Sequence, residues 1–251
     1  MSIGLLCAIP PEWRHLHAAM QGVRDEIVGP LTFARGTLDA HEVVLAQAGI
    51  GKVNTAMVAT ILAERYGARI ILFSGVAGGL DPQLKIGDVV IGTHTLQHDA
   101  GVVEDGRFAA YQAGHVPFFN PTDAFGYRSS PALVATAERA LAGLELPPLS
   151  RAAGGAGGER PRIVFGTVVS GDQYIHCEAT RVRLHEEFKA QACEMEGGAL
   201  GQVGAALGVD WLDIRALSDL AGASSRFDFG AFVDEVAASS ALILRRLLPA
   251  L

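Results

Sequence analysis

Cysteine is scarce in this sequence of 251 residues, which has three, Cys7, Cys177 and Cys193. Any single bridge would leave one of them unpaired, and none belongs to a Cys-x-x-Cys motif of the kind that binds zinc. The sequence therefore predicts reduced thiols packed inside the protein rather than a disulfide framework. It also predicts a reducing compartment, the cytoplasm.

Basic residues are few as well. Lysine and arginine together number 20 against 27 aspartates and glutamates, so the formal net charge at pH 7 is -7. Binding to nucleic acid or to an anionic membrane surface needs clustered lysine and arginine side chains. We therefore expect neither as the main partner, and we expect a small molecule as the ligand.

Long apolar runs are missing too. No stretch approaches the roughly 20 apolar residues that a helix needs to span a membrane. The apolar run at residues 3–9 is short, no basic residue precedes it, and Glu12 follows soon after. A secretory signal would have a charged start and a longer apolar stretch. We therefore predict a buried first strand at this place.

The sequence does have enough apolar residues for a large core, because 49% of its residues are hydrophobic and 19% are charged. Short β-branched runs alternate with alanine-rich helical patterns, which is typical of a mixed sheet covered by helices on both faces. We predict a single α/β domain over residues 1–251, with a central mixed twisted sheet flanked by helices. Irregular insertions are expected at about residues 100–127 and 146–162.

The pattern assigns individual elements. The predicted strands cover residues 3–8, 43–46, 70–73, 88–91, 163–169 and 211–216. The predicted helices cover residues 12–20, 54–66 and 192–207, and a last one starts near Asp228, which suits an N-cap. Ligands of such sheets bind beyond the carboxyl ends of the strands. That rule points to residues 9–12, 49–52, 75–79, 170–175 and 218–219.

Two motifs could suggest a phosphate-binding loop and a metal site, but a structural interpretation fits each of them better. The Gly-Ile-Gly-Lys motif at residues 49–52 resembles the end of a phosphate-binding loop, but Val53 stands where a magnesium-binding hydroxyl should be. A tight turn whose backbone lies close to another group is favoured. His94 and His98 are four residues apart in a segment that begins as a strand, where that spacing separates the side chains. We predict surface histidines and no metal site.

Three carboxylates, Glu12, Glu196 and Asp219, fall at predicted strand ends on the same side of the sheet. Singly, each is more often a helix cap or a solvated residue. Together they indicate a site, because buried carboxylates are costly unless they bind something. The glycine-rich segment at residues 75–79 would let a flat ligand approach its backbone, although a glycine turn that permits close packing fits it equally well.

Together these segments resemble the nucleoside phosphorylase superfamily, and within it the bacterial 5′-methylthioadenosine/S-adenosylhomocysteine nucleosidases. The matching segments follow in order at residues 3–12, 49–53, 75–80, 169–175, 194–196 and 215–219, with Phe229 at the family's distance. The resemblance implies a nucleoside phosphorylase-like domain that hydrolyses the N-glycosidic bond of a small purine thionucleoside without a cofactor. It also implies a homodimer in which residues 100–119 reach toward the partner's 5′ pocket.

The resemblance implies a role for each site residue. Glu12 would be the general base that activates water, Asp219 the general acid that protonates N7 of adenine, and Arg215 would help to position the water. The implied substrate contacts are Met195 and Glu196 at the ribose, Tyr174 stacked on the base, backbone groups of Ile175 and Gly78 at the purine, Ser218 beside Asp219, and Phe229 and Ile50 at the 5′ substituent. Ala77 and Val76 complete the implied substrate-binding set.

Two residues depart from the patterns of the superfamily, and both affect whether water or phosphate is expected as the nucleophile. Phosphorylases of the superfamily typically carry an arginine shortly before the glycine-rich segment, but the comparable residue here is Phe73, which favours water over phosphate. Val76 stands where the nucleosidases usually carry Ser or Thr, which keeps a futalosine-type hydrolase open as a function. A purine nucleoside phosphorylase and a non-catalytic nucleoside-binding protein also stay open.

Overall fold

A ten-stranded mixed sheet lies at the centre of this structure, a computed structural model that describes residues 2–150 and 160–251. The strands are β1 (Ile3–Cys7), β2 (Gln21–Val28), β3 (Leu31–Leu38), β4 (His41–Gln47), β5 (Ile70–Gly79), β6 (Val89–Gln97), β7 (Gly101–Glu104), β8 (Arg107–Ala110), β9 (Tyr127–Arg128), β10 (Ile163–Ser170), β11 (Ala192–Glu194) and β12 (Asp210–Asp219). Their order is β11-β10-β6-β12-β5-β1-β4-β3-β2, with β9 on β6, and β7 and β8 pair separately.

The strand pairing places three carboxyl ends side by side. Strands β1, β5 and β12 are parallel neighbours, so their ends meet at one edge of the sheet. Strand β11 runs parallel to β10 and antiparallel to the end of β5, where Cys193 pairs with Gly78. The sheet therefore curls, and it brings β11 against the end of β5.

Helices cover both faces of the sheet. They are α1 (Pro10–His17), α2 (Lys52–Glu64), α3 (Pro131–Leu141), α4 (Glu178–Phe188), α5 (Gly197–Leu207) and α6 (Ser225–Leu247). Apolar residues of α1, α3 and α6 share one core cluster with Leu5 of β1, whereas those of α2 and α5 share a second cluster with Leu6. Because successive strand residues point to opposite faces, the sheet is covered on both sides. This confirms the predicted fold class.

The glycine-rich segment at residues 75–79 belongs to β5, so the prediction that this strand stops at residue 73 was wrong. Pairing with β12 and β11 extends the strand to Gly79. Close approach favours glycine at two positions: a Cβ at Gly75 would lie 2.5 Å from Nη1 of Arg215, and one at Gly78 would lie in a tight contact 3.1 Å from Oδ1 of Asp219. Bare backbone here makes room for the charged side chains of β12.

The predicted helix at residues 192–207 begins later than expected. Residues Ala192–Glu194 form β11, and α5 starts at Gly197. Oε2 of Glu194 accepts the N–H groups of Glu196 and Gly197, each at 2.7 Å, and so satisfies donors at the start of the helix. Alanine and glutamate suit a helix, but the strand pairs of residues 192–194 decide the conformation.

Other elements differ from the expectation in smaller ways. Helix α6 has Ser224 as its N-cap, and Asp228 lies in its first turn. The hairpin of β2 and β3 and the helices α3 and α4 were not predicted. In the irregular stretch at residues 100–127, β7 and β8 form a small hairpin. Of the stretch at 146–162, residues 151–159 lie outside the described residues.

The histidines and cysteines test two further expectations. His98 is buried and His94 is half-buried, so surface placement was wrong for His98. Cys7 and Cys193 are buried free thiols, but Cys177 is exposed, so the packing prediction was wrong for that residue. Within residues 2–150 and 160–251, no three His, Cys, Asp or Glu side chains are placed to hold a metal ion. No described helix has the length and apolar character that a membrane crossing needs.

Candidate active site

A cavity of about 230 Å³ opens at the carboxyl ends of β1, β5 and β12. It is lined by Ala8, Ile9, Glu12, Ile50, Val76, Ala77, Gly78, Tyr174, Cys193, Glu194, Met195, Glu196, Arg215, Ser218, Asp219 and Phe229. The predicted site residues therefore come together, except Ile175, which lines an adjoining cavity of about 40 Å³ that shares Gly78, Tyr174 and Asp219.

Glu12 is held rigidly at one side of the cavity. It lies in the first turn of α1 and is 2% exposed. Its Oε2 accepts the N–H groups of Ala8 at 2.7 Å and Ile9 at 3.0 Å, and its Oε1 accepts that of Val76 at 3.1 Å. Burial raises the pKa of Glu12 above its usual value, although Arg215 and the three N–H donors oppose the shift. Such a carboxylate is fixed in position and more basic than a solvated one.

Asp219 ends β12 and is 3% exposed. Its Oδ1 accepts the N–H of Ala221 at 2.8 Å, and the Ser218 hydroxyl donates to its Oδ2 at 3.1 Å. Burial raises the pKa of Asp219 to about 6, against the lowering effect of the Ala221 N–H and the Ser218 hydroxyl. This carboxyl group therefore holds a proton closer to neutral pH than an ordinary aspartate does.

Arg215 is the cationic side chain of the cavity lining, and carboxylates surround it. Its Nε lies 2.6 Å from Oδ1 of Asp213, its Nη2 2.6 Å from Oε2 of Glu194, and its Nη1 3.3 Å from Oε2 of Glu196. The guanidinium also stacks on the ring of Phe73, 4.0 Å from the ring centroid. Burial alone would lower the pKa of Arg215, but the carboxylates raise it above its usual value, so the group stays charged.

Three carboxylates share this one guanidinium. Burial raises the pKa of Glu196 to about 8 and that of Asp213 to about 7, although Arg215 opposes both shifts. Glu194 adds to both increases by like-charge repulsion. Because the groups titrate together, the proton belongs to the cluster.

Glu196 is oriented from two sides. Its Oε1 accepts the N–H of Gly51 at 2.8 Å, and its Oε2 faces Arg215. Gly51 directly precedes α2, so the positive end of that helix also faces the carboxylate. This contact explains the motif at residues 49–52 as a tight turn whose backbone binds a side chain.

The opposite part of the cavity is apolar. The rings of Tyr174 and Phe229 meet edge to face with centroids 6.3 Å apart. Tyr174 is 47% exposed and Ile50 is 54% exposed, so both lie at the mouth, while Met195 is half-buried. The site thus combines a carboxylate-rich interior with an apolar entrance, which suits a small ligand with a polar centre.

Sequence reasoning missed Asp213 and Cys193. Cys193 lines the cavity, and Asp213 is fully buried beneath Arg215. A signal for Asp213 was present: it is an acid in an otherwise apolar strand, two residues before Arg215, and that spacing puts both side chains on one face. For Cys193 we find no signal, since a buried thiol resembles any small apolar residue.

Comparison with known proteins agrees with this geometry. The family model described as "Phosphorylase superfamily" matches residues 2–249. The chain belongs to the phosphorylase superfamily. The resemblance predicted from the sequence is therefore confirmed.

Relatives within the phosphorylase superfamily are similar along the whole chain. A 5′-methylthioadenosine/S-adenosylhomocysteine nucleosidase of Mycobacterium bovis is 54% identical over 100% of this chain and 98% of its own length. The same enzyme from Neisseria meningitidis, solved with methylthio-immucillin-A, has a TM-score of 0.84 and 30% identity, with 100% of this chain and 99% of that chain covered. A futalosine hydrolase of Helicobacter pylori has a TM-score of 0.82 and 28% identity, covering 100% and 98%.

Proposed function

We propose that this chain hydrolyses the N-glycosidic bond of 5′-methylthioadenosine and S-adenosylhomocysteine, releasing adenine and the thioribose. Asp219 is the general acid that protonates N7 of the leaving purine, and Glu12 is the general base that takes a proton from water. The two carboxyl groups line one cavity from different elements, α1 and β12. The same division of work between two carboxyl groups operates in inverting glycosidases.

The remaining contacts follow from the chemistry. As the bond breaks, positive charge develops on the ribose, and the cluster of carboxylates around Arg215 stabilises it. Glu196 accepts the ribose hydroxyls, Met195 packs on the sugar, and Tyr174 stacks on the base. Ile50 and Phe229 border the 5′ substituent. The backbone of residues 76–78 and of Ile175 borders the purine, and Ser218 orients Asp219.

Arg215 acts through two contacts in this proposal. It holds Glu196 at the ribose, and it helps to position the water beside Glu12. A Cβ at Gly75 would lie 2.5 Å from Nη1 of Arg215 and 3.3 Å from Oε1 of Glu12, so the two groups are close to each other. Val76 lacks the hydroxyl of the usual Ser or Thr, but its backbone N–H still orients Glu12.

The charge of the cavity is the observation that carries the choice of water over phosphate. Four lining side chains are carboxylic acids, and the lining cation, Arg215, is already paired with Glu194 and Glu196. An oxyanion such as phosphate needs cationic donors of its own. Phe73, at the position where phosphorylases typically have an arginine, packs under the guanidinium instead.

Adenine release measured with and without phosphate tests the proposed reaction. We expect full activity in phosphate-free buffer and no increase when phosphate is added. Release that requires phosphate would make the protein a phosphorylase. Tight binding of the nucleoside without turnover would make it a binding protein.

The 5′ substituent separates the two hydrolase candidates. The relative that is 54% identical is a methylthioadenosine/S-adenosylhomocysteine nucleosidase, whereas the futalosine hydrolase is 28% identical, which favours the thionucleosides. We expect kcat/KM for 5′-methylthioadenosine to exceed that for futalosine when both are measured side by side. The reverse order would assign the chain to futalosine.

The pH dependence follows from the protonation state of Asp219. Because the general acid must hold its proton, and its pKa is raised to about 6, we expect kcat/KM to fall about tenfold per pH unit above that value. At low pH it falls again, as Glu12 becomes protonated. Initial rates across the pH range measure both limbs. A profile that stays level well above the pKa of Asp219 would contradict its role as the acid.

The chain is also proposed to act as a homodimer in the cytoplasm. Phe118 and Phe119 are 85% and 82% exposed, and Val53 on α2 is 79% exposed, which is typical of surfaces that pack against a partner. Free cysteines, one of them exposed, favour a reducing compartment. We expect a dimer by light scattering, and a monomer with lower activity for Phe119→Glu. A fully active monomeric wild type would contradict the dimer.

A further inference from the structure

A charged cluster outside the cavity holds the turn that contacts Glu196. The Nζ of Lys52 lies 2.6 Å from Oδ1 of Asp99, and Oδ2 of Asp99 accepts the N–H of Asp172 at 2.9 Å. The ring of contacts closes where Oδ1 of Asp172 accepts the N–H of Lys52, also at 2.9 Å. We call Lys52, Asp99 and Asp172 the turn clamp. None of its members belongs to the cavity lining.

The turn clamp joins three separate parts of the fold. Lys52 is the first residue of α2, Asp99 follows the end of β6, and Asp172 follows the end of β10. In each contact of the ring, a carboxylate oxygen accepts a hydrogen bond, either from the Lys52 ammonium or from a backbone N–H. Hydrogen bonds to a charged acceptor are stronger than those between neutral groups. The clamp therefore ties the start of α2 to the segments that follow β6 and β10.

The turn itself has little intrinsic rigidity. Gly49 and Gly51 have φ angles of +87° and +103°, in the region that glycine alone adopts readily. A turn with two such glycines samples many conformations unless outside contacts restrict it. The N–H of Gly51 nevertheless meets Oε1 of Glu196 at 2.8 Å. The N–H of Gly49, which donates to the carbonyl of Ala8 at 3.1 Å, restricts the turn where it begins. The contacts of Lys52 restrict it at its end, next to the Gly51 N–H.

The environment strengthens the clamp. The side chains of Lys52 and Asp99 are 17% and 18% exposed, so water and salt screen this pair less than a surface ion pair. Burial raises the pKa of Asp99, but the hydrogen bonds from Lys52 and from the N–H of Asp172 together lower it by more. The pKa of Asp99 is therefore below its usual value. Asp99 is therefore ionised at neutral pH.

We propose that Lys52, Asp99 and Asp172 are positioning residues for the ribose-binding carboxylate. They fix the Gly51 turn so that its N–H holds Glu196 where it accepts the sugar hydroxyls. The inference rests on the proposed function, because it takes Glu196 as the ribose contact. Asp219, which binds at the purine end, belongs to β12 and does not depend on the clamp.

The test compares substrates with and without a ribose hydroxyl. Lys52→Met and Asp99→Asn remove one charge each and keep the size of the side chain. We expect each to lower kcat/KM for 5′-methylthioadenosine by at least about tenfold, the scale of a charge-assisted hydrogen bond. For the 3′-deoxy analogue the loss is expected to be less than about twofold, since that substrate does not use the full contact with Glu196.

Several controls separate positioning from a general structural defect. Asp123→Asn removes a charge from an exposed loop residue and should leave both substrates unchanged. Lys52→Arg keeps the charge and should recover part of the loss. The double variant Lys52→Met/Asp99→Asn should lose no more than the worse single one, because both break the same ion pair. The Kd of adenine should match that of the wild type in every variant.

Three results would overturn a proposal. Equal losses for both substrates, or no loss in either variant, would overturn the positioning role while leaving the hydrolase assignment intact. A wild-type protein that releases adenine from neither substrate would overturn the proposed function itself.

Discussion

The substitution Asp219→Asn is expected to lower kcat at least about 100-fold, the low end of the effect of a general acid. Asparagine has nearly the same shape, and its oxygen still accepts the N–H of Ala221, so the local fold is retained. The amide has no acidic proton for N7, and the purine would have to leave as an anion. The measurement is single-turnover release of adenine from 5′-methylthioadenosine.

The matched control for this variant is Ser218→Ala. It removes the hydroxyl that donates to Oδ2 of Asp219 but leaves the acid in place. Because that hydroxyl lowers the pKa of Asp219, its loss should move the alkaline limb of the pH profile to higher pH. In Asp219→Asn this limb should disappear. A folded Asp219→Asn protein with a near-normal rate would remove Asp219 from the mechanism.

The second large effect is expected for Glu12→Gln, again at least about 100-fold in kcat. A glutamine amide at this place does not take a proton from water. Its NH₂ group would also meet one of the backbone N–H donors of Ala8, Ile9 or Val76, so a modest loss of stability accompanies the loss of activity. Thermal unfolding measured beside the rates separates the two effects.

Chemical rescue distinguishes a lost base from a distorted site. Glu12→Ala leaves room for a small carboxylate, and added formate should restore part of the activity, with a rate that depends on formate concentration. Glu138→Gln, on the exposed side of α3, is the control and should behave as the wild type does. Wild-type rates in Glu12→Gln, or no response of Glu12→Ala to formate, would argue against a base at this position.

Much of the site was predictable because it is built from strand ends. Residues such as Glu12 and Asp219 follow apolar runs that are recognisable in the sequence, and the rule for parallel strands places those ends together. The glycines at 75 and 78 marked this segment as part of the site, although the prediction gave a different reason for them, the approach of a ligand. They make room for Arg215 and Asp219, which are distant in the chain.

The parts of the fold and site that were not predicted depend on pairings between distant segments of the chain. Residues 192–194 have a helical composition, and their pairing with β10 and β5 makes them a strand. Likewise, Lys52, Asp99 and Asp172 carry no common pattern, because three separate elements bring them together. The burial of three carboxylates around Arg215 follows from the same long-range pairing. Local sequence gives the polarity of each residue but not its neighbours.

A substrate whose leaving group needs no proton tests the central claim, that one carboxyl group serves the purine and the other the water. The measurement compares wild type, Asp219→Asn and Glu12→Gln on 5′-methylthioadenosine and on the corresponding 5-methylthioriboside of p-nitrophenol. We predict that Asp219→Asn recovers to within about tenfold of the wild type on the nitrophenyl riboside, whereas Glu12→Gln stays impaired on both substrates. Equal impairment of the two variants on both substrates would contradict the account.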